Sequence, residues 1–561
     1  MTNIHTNINV EFTGQIHNIS DLKRQLSVSS NNLNELLQAG WYRWGTKLAE
    51  HIVGDFSLVI EDNAQRLTYL VRDALGVKSL YYRIDNAKIS WGSSIPQLQS
   101  RCKLPATKDI DWAASYLLHL SSSQTETAYK EIKKLAPGHW LTYTNDGKIK
   151  VQRYHVWRDD SPFATKRDKR WVDDYQAVLE EAIRCRMDHD APMGTENSGG
   201  IDSATITAYL AQFLGEPGDR LHSFGFAMCE LEPAFILETS QAKNIRHNYI
   251  ITGQLSSDYQ QSNIEKSLTI LGYPEEHGNA SGHVPFYEEC QKRGIRTLHS
   301  GFGGDEVVTN NGMHLRRELV DGGHYAALWN ILPGDPISRS LRLIKALTLG
   351  RQTKGHNPLF LKAWNERWPH QLLRPEVVER LNLYEQYMET AIYDKPYRRT
   401  NDFILQYHLT KMQLTTRLEN CTVMAAAYGV DYRWPLWDSR LVQQYLSTPS
   451  IEKVGPKGIG RYLHRRAIDG IVPKRVAWKP TKDMGYGQLL NKMKKSGILK
   501  VAHTARELEA NLHPGLKDLI DTNKFKQQMT QASKGQADDG FTFGFSRATN
   551  ALQHLNTWFK L

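Results

Sequence analysis

The chain has 561 residues, of which 40% are hydrophobic and 14 are tryptophan, so its apolar side chains suffice for the cores of two or three domains. Its five cysteines are widely spaced and form no CxxC pair, which argues against a disulfide scaffold or a structural zinc site. The formal net charge is +10, but 70 basic residues are interspersed with 60 acidic ones. This mixture predicts a solvated basic surface rather than a nucleic-acid partner.

The N-terminal segment MTNIHTNINVEF lacks the basic start and the apolar run of a secretory signal. No stretch of about 18 apolar residues is present, as a membrane-spanning helix would require. We therefore expect a cytoplasmic protein without a membrane partner.

Residues 1–157 are dominated by strand patterns. HIVGDFSLVIED, RLTYLVRD and KSLYYRIDNAKISWGSS each contain β-rich runs. Residues 110–120 have helical spacing, and LAPGHWLTYTNDGKIKVQRYHVW predicts a hairpin that turns at Asn145-Asp146-Gly147. We predict an antiparallel, strand-rich domain over these residues.

Beyond the charged linker DDSPFATKRDKR the pattern changes to alternating helices and strands. DDYQAVLEEAIRCRMD and IDSATITAYLAQFLG predict helices, the second ending at Gly215, while LHSFGFAM and IRTLHS predict strands. Such alternation indicates a parallel α/β sheet, and from about residue 320 the chain is mainly helical. The second predicted domain is residues 158–561, an α/β domain with a helical C-terminal part.

The strongest local motif is the run Ser198-Gly199-Gly200-Ile201-Asp202-Ser203. Two glycines let the backbone approach a phosphate, and the amides of the following helix with the serine hydroxyls suit an anion. Asp202 would lie beside those phosphates as a Mg²⁺ ligand. A plain helix N-cap is the alternative, and a Walker motif is excluded because no GK[ST] follows.

A second run, Ser300-Gly301-Phe302-Gly303-Gly304-Asp305-Glu306, repeats the order of strand, glycine turn and carboxylate. Two such turns at the carboxyl ends of parallel strands would face one crevice, where α/β sheets bind ligands. Asp202 and Asp305 would then share magnesium held against a nucleoside triphosphate.

Together these motifs resemble a known family. SGGIDS resembles the pyrophosphate-binding loop of ATP pyrophosphatases, and with SGFGGDE it resembles the synthetase domain of class B asparagine synthetases. ENCTVMAAAYGVDYRWPLWDSRLVQQYL and KGIGRYLHRRAIDGIVPKRVAWKPTKDMG are similar to that family's downstream segments. GDFSLVIED, RDALGVKSLYY and LAPGHWL resemble its glutaminase domain, so the resemblance runs in order through roughly residues 45–490.

The resemblance implies a degenerate glutaminase-like domain, a β-rich sandwich of the Ntn-hydrolase type, followed by an ATP-pyrophosphatase α/β domain. It also implies a ligase with ATP and Mg²⁺ as cofactors. A carboxylate is converted to an acyl-adenylate with loss of pyrophosphate, and an amine then displaces AMP to form an amide. Cationic side chains would stabilise the negative charge on the phosphates and on the tetrahedral intermediate.

One departure concerns the source of the amine. Glutamine-dependent members have a nucleophilic cysteine as the mature N-terminal residue, whereas this chain has Thr2, and its first cysteine is Cys102. Thr2 is in principle a nucleophile with its own amine as base, but the rest of the motif is also absent. We therefore expect no glutaminase activity, as in the β-lactam synthetases, the carbapenam synthetases and the lasso peptide cyclases.

A second departure concerns proton transfer. Alignment through Trp437-Asp438 places Glu419 on the glutamate of the Tyr/Glu pair of β-lactam synthetases, but the tyrosine position is Phe302, which has no hydroxyl. The GGDE ending and AAAYGVDYRWPLWD look closer to lasso peptide cyclases. That reading implies a macrolactam synthetase of antibiotic biosynthesis that activates an Asp or Glu side chain of a precursor peptide. A leader peptidase is a further partner that this reading leaves open.

Glu419 has an alternative role in a helix salt bridge with Arg417 or a nearby lysine. The resemblance implies Lys482 as the catalytic cation on the intermediate, with Lys479 a close second, although either fits a solvated loop lysine.

Lys457 and Arg461 resemble phosphate-contacting residues, with a solvated face as the alternative. Phe226 follows a predicted strand, where it would pack either on adenine or in the core.

Other functions stay open at this point. They are a β-lactam synthetase-like cyclase of a small β-amino acid, an ammonia-dependent asparagine synthetase, and a catalytically silent paralogue that binds peptide or nucleotide. The presence of Asp202, Asp305 and both glycine turns disfavours the silent paralogue.

Overall fold

The computed structural model describes residues 8–561 apart from 103, 228, 253–256, 277, 313, 349–370, 390–396, 411–413, 481–485 and 536–538. Within the described residues, none of the helices combines the length and the apolar character that a bilayer crossing requires.

Two antiparallel sheets form the N-terminal half. Their strands are β1 (Ile8–Ile16), β2 (Gly54–Asp62), β3 (Leu67–Arg72), β4 (Tyr81–Asp85), β5 (Lys88–Gly92), β6 (Lys133–Lys134), β7 (His139–Thr144) and β8 (Ile149–Arg153). One sheet has the order β1-β2-β3-β7-β8 and the other β5-β4-β6. The helices of this half are Ile19–Leu26, Leu33–Trp44, Leu48–His51, Ile95–Cys102 and Ile110–Leu117.

The alternating side chains of β2 contact different layers on its two faces. Phe56, Leu58 and Ile60 pack under the helix Leu33–Trp44, whereas Val59 faces the second sheet. Because successive side chains of a strand point to opposite faces, β2 is buried on both sides. The predicted sandwich is therefore confirmed. The β7–β8 hairpin is also as predicted, with Gly147 at φ +83° in its turn.

A five-stranded parallel sheet organises the second half. Its strands are β9 (Met193–Glu196), β10 (Leu221–Ala227), β11 (His247–Thr252), β12 (Thr297–His299) and β13 (Asp431–Arg433), in the order β11-β10-β9-β12-β13. All four pairings are parallel, so the carboxyl ends of the strands meet at one edge. This confirms the predicted α/β domain.

Helices cover this sheet and continue to the end of the chain. Those around the sheet are Lys169–Arg184, Ile201–Leu214, Glu232–Ala242, Ser257–Leu271, Asn279–Gly282 and Val284–Lys292. Those of the helical part are Leu315–Asp321, Tyr325–Ile331, Pro336–Thr348, Pro375–Arg380, Leu383–Glu389, Thr400–Phe403, Leu414–Ala427, Ser439–Ser447, Ser450–Lys453, Tyr462–Ala467, Lys474–Ala477, Tyr486–Ala510, Pro514–Lys517, Thr522–Ser533 and Asp539–Lys560.

The two halves share an apolar core. Side chains of the N-terminal half, such as Tyr81, Tyr116 and Ile132, belong to one buried cluster with Phe545 and Trp558 of the last helix. The last helices therefore pack on the N-terminal half.

Buried ion pairs also join the halves. Arg186 lies between Asp55 and Asp438, with N–O distances of 2.8 and 2.6 Å. Lys78 bonds to Asp431 at 2.9 Å. These pairs fix the N-terminal sandwich against β13 and the segments next to β9 and β13.

Candidate active site

A cavity of about 750 Å³ lies at the carboxyl ends of β9, β10 and β12. Its lining includes Glu196, Ser198, Gly200, Asp202, Ser203, Phe226, Glu232, His283, Phe286, Gly301, Phe302, Asp305, Glu306, Arg417, Arg461, Arg465 and Lys479. Both predicted glycine turns therefore face the same space, as expected for neighbouring parallel strands.

The first glycine turn wraps the start of the helix Ile201–Leu214. Gly199 has φ +67°, and a Cβ there would lie 2.6 Å from the Cβ of Phe235, so only glycine fits. Ser203 Oγ accepts a hydrogen bond from the Ser198 amide at 3.1 Å, which closes the turn. The first amides of a helix have no intrahelical partner, so this lining can bind an anion.

The second glycine turn packs directly on the first. A Cβ on Gly301 would lie 2.5 Å from the Ser203 nitrogen, and one on Gly304 would lie 2.6 Å from an Asp202 carboxylate oxygen. These distances leave no room for a side chain. The glycines therefore bring Asp202 and Asp305 onto one wall of the cavity.

Arg461 bridges the two aspartates. Its Nη1 donates to Asp202 Oδ2 at 2.8 Å, and its Nη2 pairs with Asp305. Thr309 Oγ1 donates to Asp202 Oδ1 at 2.7 Å. Arg461 itself is only 5% exposed, so a cation is held between two carboxylates at this point.

These carboxylates fit Mg²⁺, which prefers hard oxygen ligands and keeps several from phosphate or water. Within the described ranges, no group of three or more His, Cys, Asp or Glu side chains could hold a metal ion. Asp202 and Asp305 would therefore supply the protein's ligands, and the nucleotide phosphates would supply others. Bound in this way, the ion would neutralise phosphate charge.

Lys479 lies at the rim of the first glycine turn. Its Nζ donates to the Gly199 carbonyl at 3.2 Å and lies 4.4 Å from the Phe235 ring centre. Burial, with Arg465 and Arg461 nearby, lowers its pKa against the attraction of Glu232. Lys479 is thus a cation directed at the first glycine turn.

The structure does not bring all the predicted cations together. Lys482 lies outside the described residues. Lys457 is exposed and does not line the cavity, because it sits at φ +55° in a turn closed by a bond from the Gly455 amide to the Ile459 carbonyl. For Lys457 the solvated alternative is the better description.

The cavity lining also contains an aromatic pair and a polar cluster that the sequence motifs did not indicate. Phe226 stacks on Phe286 with ring centres 4.2 Å apart, and both line the cavity. Glu196, the last residue of β9, accepts from Ser300 Oγ at 2.5 Å and pairs with His283 Nε2 at 3.2 Å. The sequence signal that could have identified Glu196 is its position directly before the first glycine turn.

Glu419 does not line the cavity, which corrects the prediction of a proton-transfer role. Its side chain is fully buried between the two halves, with Arg72 Nη2 at 2.6 Å and Lys134 Nζ at 2.9 Å. Glu419 does form salt bridges, as the alternative proposed, but its partners belong to the N-terminal half. Arg417, two residues earlier, lines the cavity instead. Two helical residues are about 200° apart, so these side chains point in opposite directions.

Comparisons with known proteins agree with this geometry. Residues 174–560 match the asparagine synthase family, and residues 1–155 match a glutamine amidotransferase domain family. The glutamine-hydrolyzing asparagine synthetase 3 of Bacillus subtilis strain 168 is 23% identical, and the match covers 98% of this chain and 86% of that protein.

Other relatives match over smaller shares of the chain. The glutamine-hydrolyzing asparagine synthetase 1 of the same strain is 24% identical and covers 83% of this chain and 73% of its own length. The amidase chyE of Penicillium rubens is 22% identical, and the match covers 54% of this chain and 46% of that protein. The chain therefore belongs to the asparagine synthase family of ATP-dependent amide ligases.

Proposed function

We propose that this protein adenylates a carboxylate and joins it to an amine already present in the same substrate, forming a macrolactam. The observation that carries the proposal is a cavity lined by both glycine turns and both aspartates, combined with a glutaminase-like half in which we find no suitable thiol. Cys102 is the single cysteine of residues 1–155, and it ends a helix against the apolar core that the two halves share. This absence supports an amine other than ammonia released from glutamine.

The cavity residues can divide the chemistry between them. The amides at the start of the helix Ile201–Leu214 and the Lys479 ammonium would bind phosphate oxygens. Asp202 and Asp305 would hold Mg²⁺, with Arg461 fixing both carboxylates. The substrate carboxylate oxygen attacks the α-phosphorus and pyrophosphate leaves; the amine then attacks the carbonyl carbon, AMP leaves and a proton passes to solvent. Cations arranged before reaction stabilise the charge that develops at each step.

A peptide substrate agrees with the character of the cavity. Its volume accommodates a nucleotide with additional space, and its lining includes the rings of Phe226, Phe286 and Phe302. Phe302 has no hydroxyl to accept a proton. A peptide α-amine has an ordinary pKa of about 7.7 to 8, so roughly a tenth to a sixth of it is unprotonated at pH 7, and this fraction needs no strong base. The proposed partners are thus a precursor peptide and, where a leader must be removed, a leader peptidase.

The test is to incubate the full chain with ATP, Mg²⁺ and peptides that carry a free α-amine and an internal Asp or Glu. We expect AMP, pyrophosphate and a peptide lighter by one water, detected by mass spectrometry, with Asp202→Asn as the inactive control. Asparagine formed from aspartate and ammonium would replace the proposal with an ammonia-dependent asparagine synthetase. No pyrophosphate exchange into ATP with any acid would instead indicate a silent paralogue.

A further inference from the structure

Arg417 is a cation of the cavity wall that the proposed chemistry has not used. It lies on the helix Leu414–Ala427 and lines the cavity, with its guanidinium carbon 3.9 Å from the ring centre of Phe302. That ring is held edge-on against Trp434, with centres 5.7 Å apart, and also contacts Trp437. A guanidinium stacked on a fixed ring keeps its orientation while its N–H donors remain available at the edges.

The charge of Arg417 has no bonded partner in the described part of the chain. It forms neither an ion pair nor a hydrogen bond there, and its buried Nε is left without an acceptor. Glu306 lines the same cavity and interacts with the Arg417 charge through space without a bond, and Glu419 points to the opposite side of the helix. A donor that is shielded from water without an acceptor costs free energy, so this side chain is prepared for an anion.

We propose that Arg417 binds the substrate carboxylate that becomes adenylated, as a carboxylate subsite beside the phosphate-binding turns. This inference rests on the proposed function. A guanidinium offers two parallel N–H donors that match a carboxylate, and its charge offsets the repulsion between that carboxylate and the triphosphate. Phe302 belongs to the second glycine turn, so the anchored carboxylate lies next to the nucleotide and not at a remote position.

The experiment compares two capped amino acids that differ only in the charged group. N-acetyl-L-glutamate α-amide carries one side-chain carboxylate, and N-acetyl-L-glutamine amide is its neutral counterpart. Each is titrated calorimetrically into the full chain, with and without Mg²⁺ and α,β-methylene-ATP. Wild type should bind the acid at least about tenfold more tightly than the amide, the usual value of a charged hydrogen bond.

Variants assign that preference to Arg417. Arg417→Gln should bind the acid and the amide equally, and Arg417→Lys should keep part of the preference. Arg170→Gln, which removes an exposed cation from the start of another helix, should behave as wild type. Unfolding midpoints of all variants show whether the fold is intact, and Arg417→Lys keeps the charge if Arg417→Gln does not fold.

The outcomes separate the subsite from the proposed function. The subsite is refuted if wild type shows no preference for the acid, if Arg417→Gln retains the preference, or if that variant loses nucleotide binding while acid binding is unchanged. Failure of wild type to bind the nucleotide counts against the proposed function instead. In that case the titrations without nucleotide still decide whether the carboxylate subsite exists.

Discussion

Replacing Glu419 with glutamine tests whether this carboxylate is structural or catalytic. The substitution keeps the size of the side chain but removes its charge from between Arg72 and Lys134. All three side chains are at most 6% exposed, so neither cation can regain water without opening the interface between the halves. We therefore expect Glu419→Gln to destabilise the protein.

The size of the loss in stability depends on which hydrogen bonds and charges Arg72 and Lys134 keep when Glu419 is replaced. Arg72 also donates to the carbonyls of Lys78, Leu135 and Gly76 at 2.8 to 3.0 Å, so its donors stay bonded. Burial lowers the pKa of Lys134, so without Glu419 this lysine can lose its proton and limit the cost. Removing one partner of a buried pair costs about 3 to 5 kcal/mol of unfolding free energy. Because of these two compensations, we expect a loss at the lower end, about 3 kcal/mol.

The assay is urea unfolding followed by tryptophan fluorescence near neutral pH. Glu238→Gln is the matched control, because Glu238 pairs with a largely exposed Arg475 and should change stability by only about 0 to 1 kcal/mol. The double variant Lys134→Met with Glu419→Gln should recover part of the loss, since it removes the stranded cation.

The pH dependence of stability tests the structural role of Glu419 independently. Although burial opposes it, Lys134 and Arg72 hold the pKa of Glu419 below its ordinary value. The stabilisation is therefore present above the unfolded pKa of about 4.3 and disappears as the pH falls through the folded pKa. The difference between wild type and Glu419→Gln should shrink in acid. A variant with wild-type stability but no adenylation would overturn the reasoning and restore a catalytic Glu419.

Three further predictions concern the site and its supports. Asp202→Asn should reduce ATP–pyrophosphate exchange by about 10- to 100-fold with little change in the unfolding midpoint, whereas unchanged exchange would exclude a role in holding Mg²⁺ and Arg461. Gly301→Ala should cost about 1 to 3 kcal/mol in urea unfolding and weaken nucleotide binding in calorimetry, because its Cβ would lie 2.5 Å from the Ser203 nitrogen; a variant that binds normally would contradict the close packing of the turns. Burial lowers the pKa of His464 to about 4, so stability should fall by up to about 3 kcal/mol as the pH drops from about 6.5 to 4, and unfolding midpoints of His464→Gln should lack that part of the decrease.

Local signals accounted for most of the fold. The alternation in β2, the Asn-Asp-Gly turn and the glycine runs all depend on neighbouring residues, so they could be read from the sequence. The partner of the last helix could not, because an amphipathic pattern indicates that a face is buried but not what covers it. The packing of Trp558 on the N-terminal half is such a long-range contact.

In the candidate site, too, local signals could be read from the sequence and long-range contacts could not. The two glycine turns and Asp202 carry their own spacing, whereas the alignment selected Glu419 and missed the cavity residue Arg417, at an offset of two residues. On a helix that offset exchanges the cavity face for the interface face. Arg461 was found through its resemblance, but its bridge between two aspartates required coordinates.

The shared core makes the N-terminal half necessary to the rest of the polypeptide, whatever reaction that half performs. Trp112 of the N-terminal half packs edge-on against Trp558, with ring centres 5.7 Å apart, inside a cluster that draws on both ends of the chain. Trimming the coding sequence to its ATP-binding part would leave a broad apolar face bare, and such faces promote aggregation. The N-terminal half therefore has a structural role that is independent of any reaction it catalyses, because it covers apolar surface of the second half.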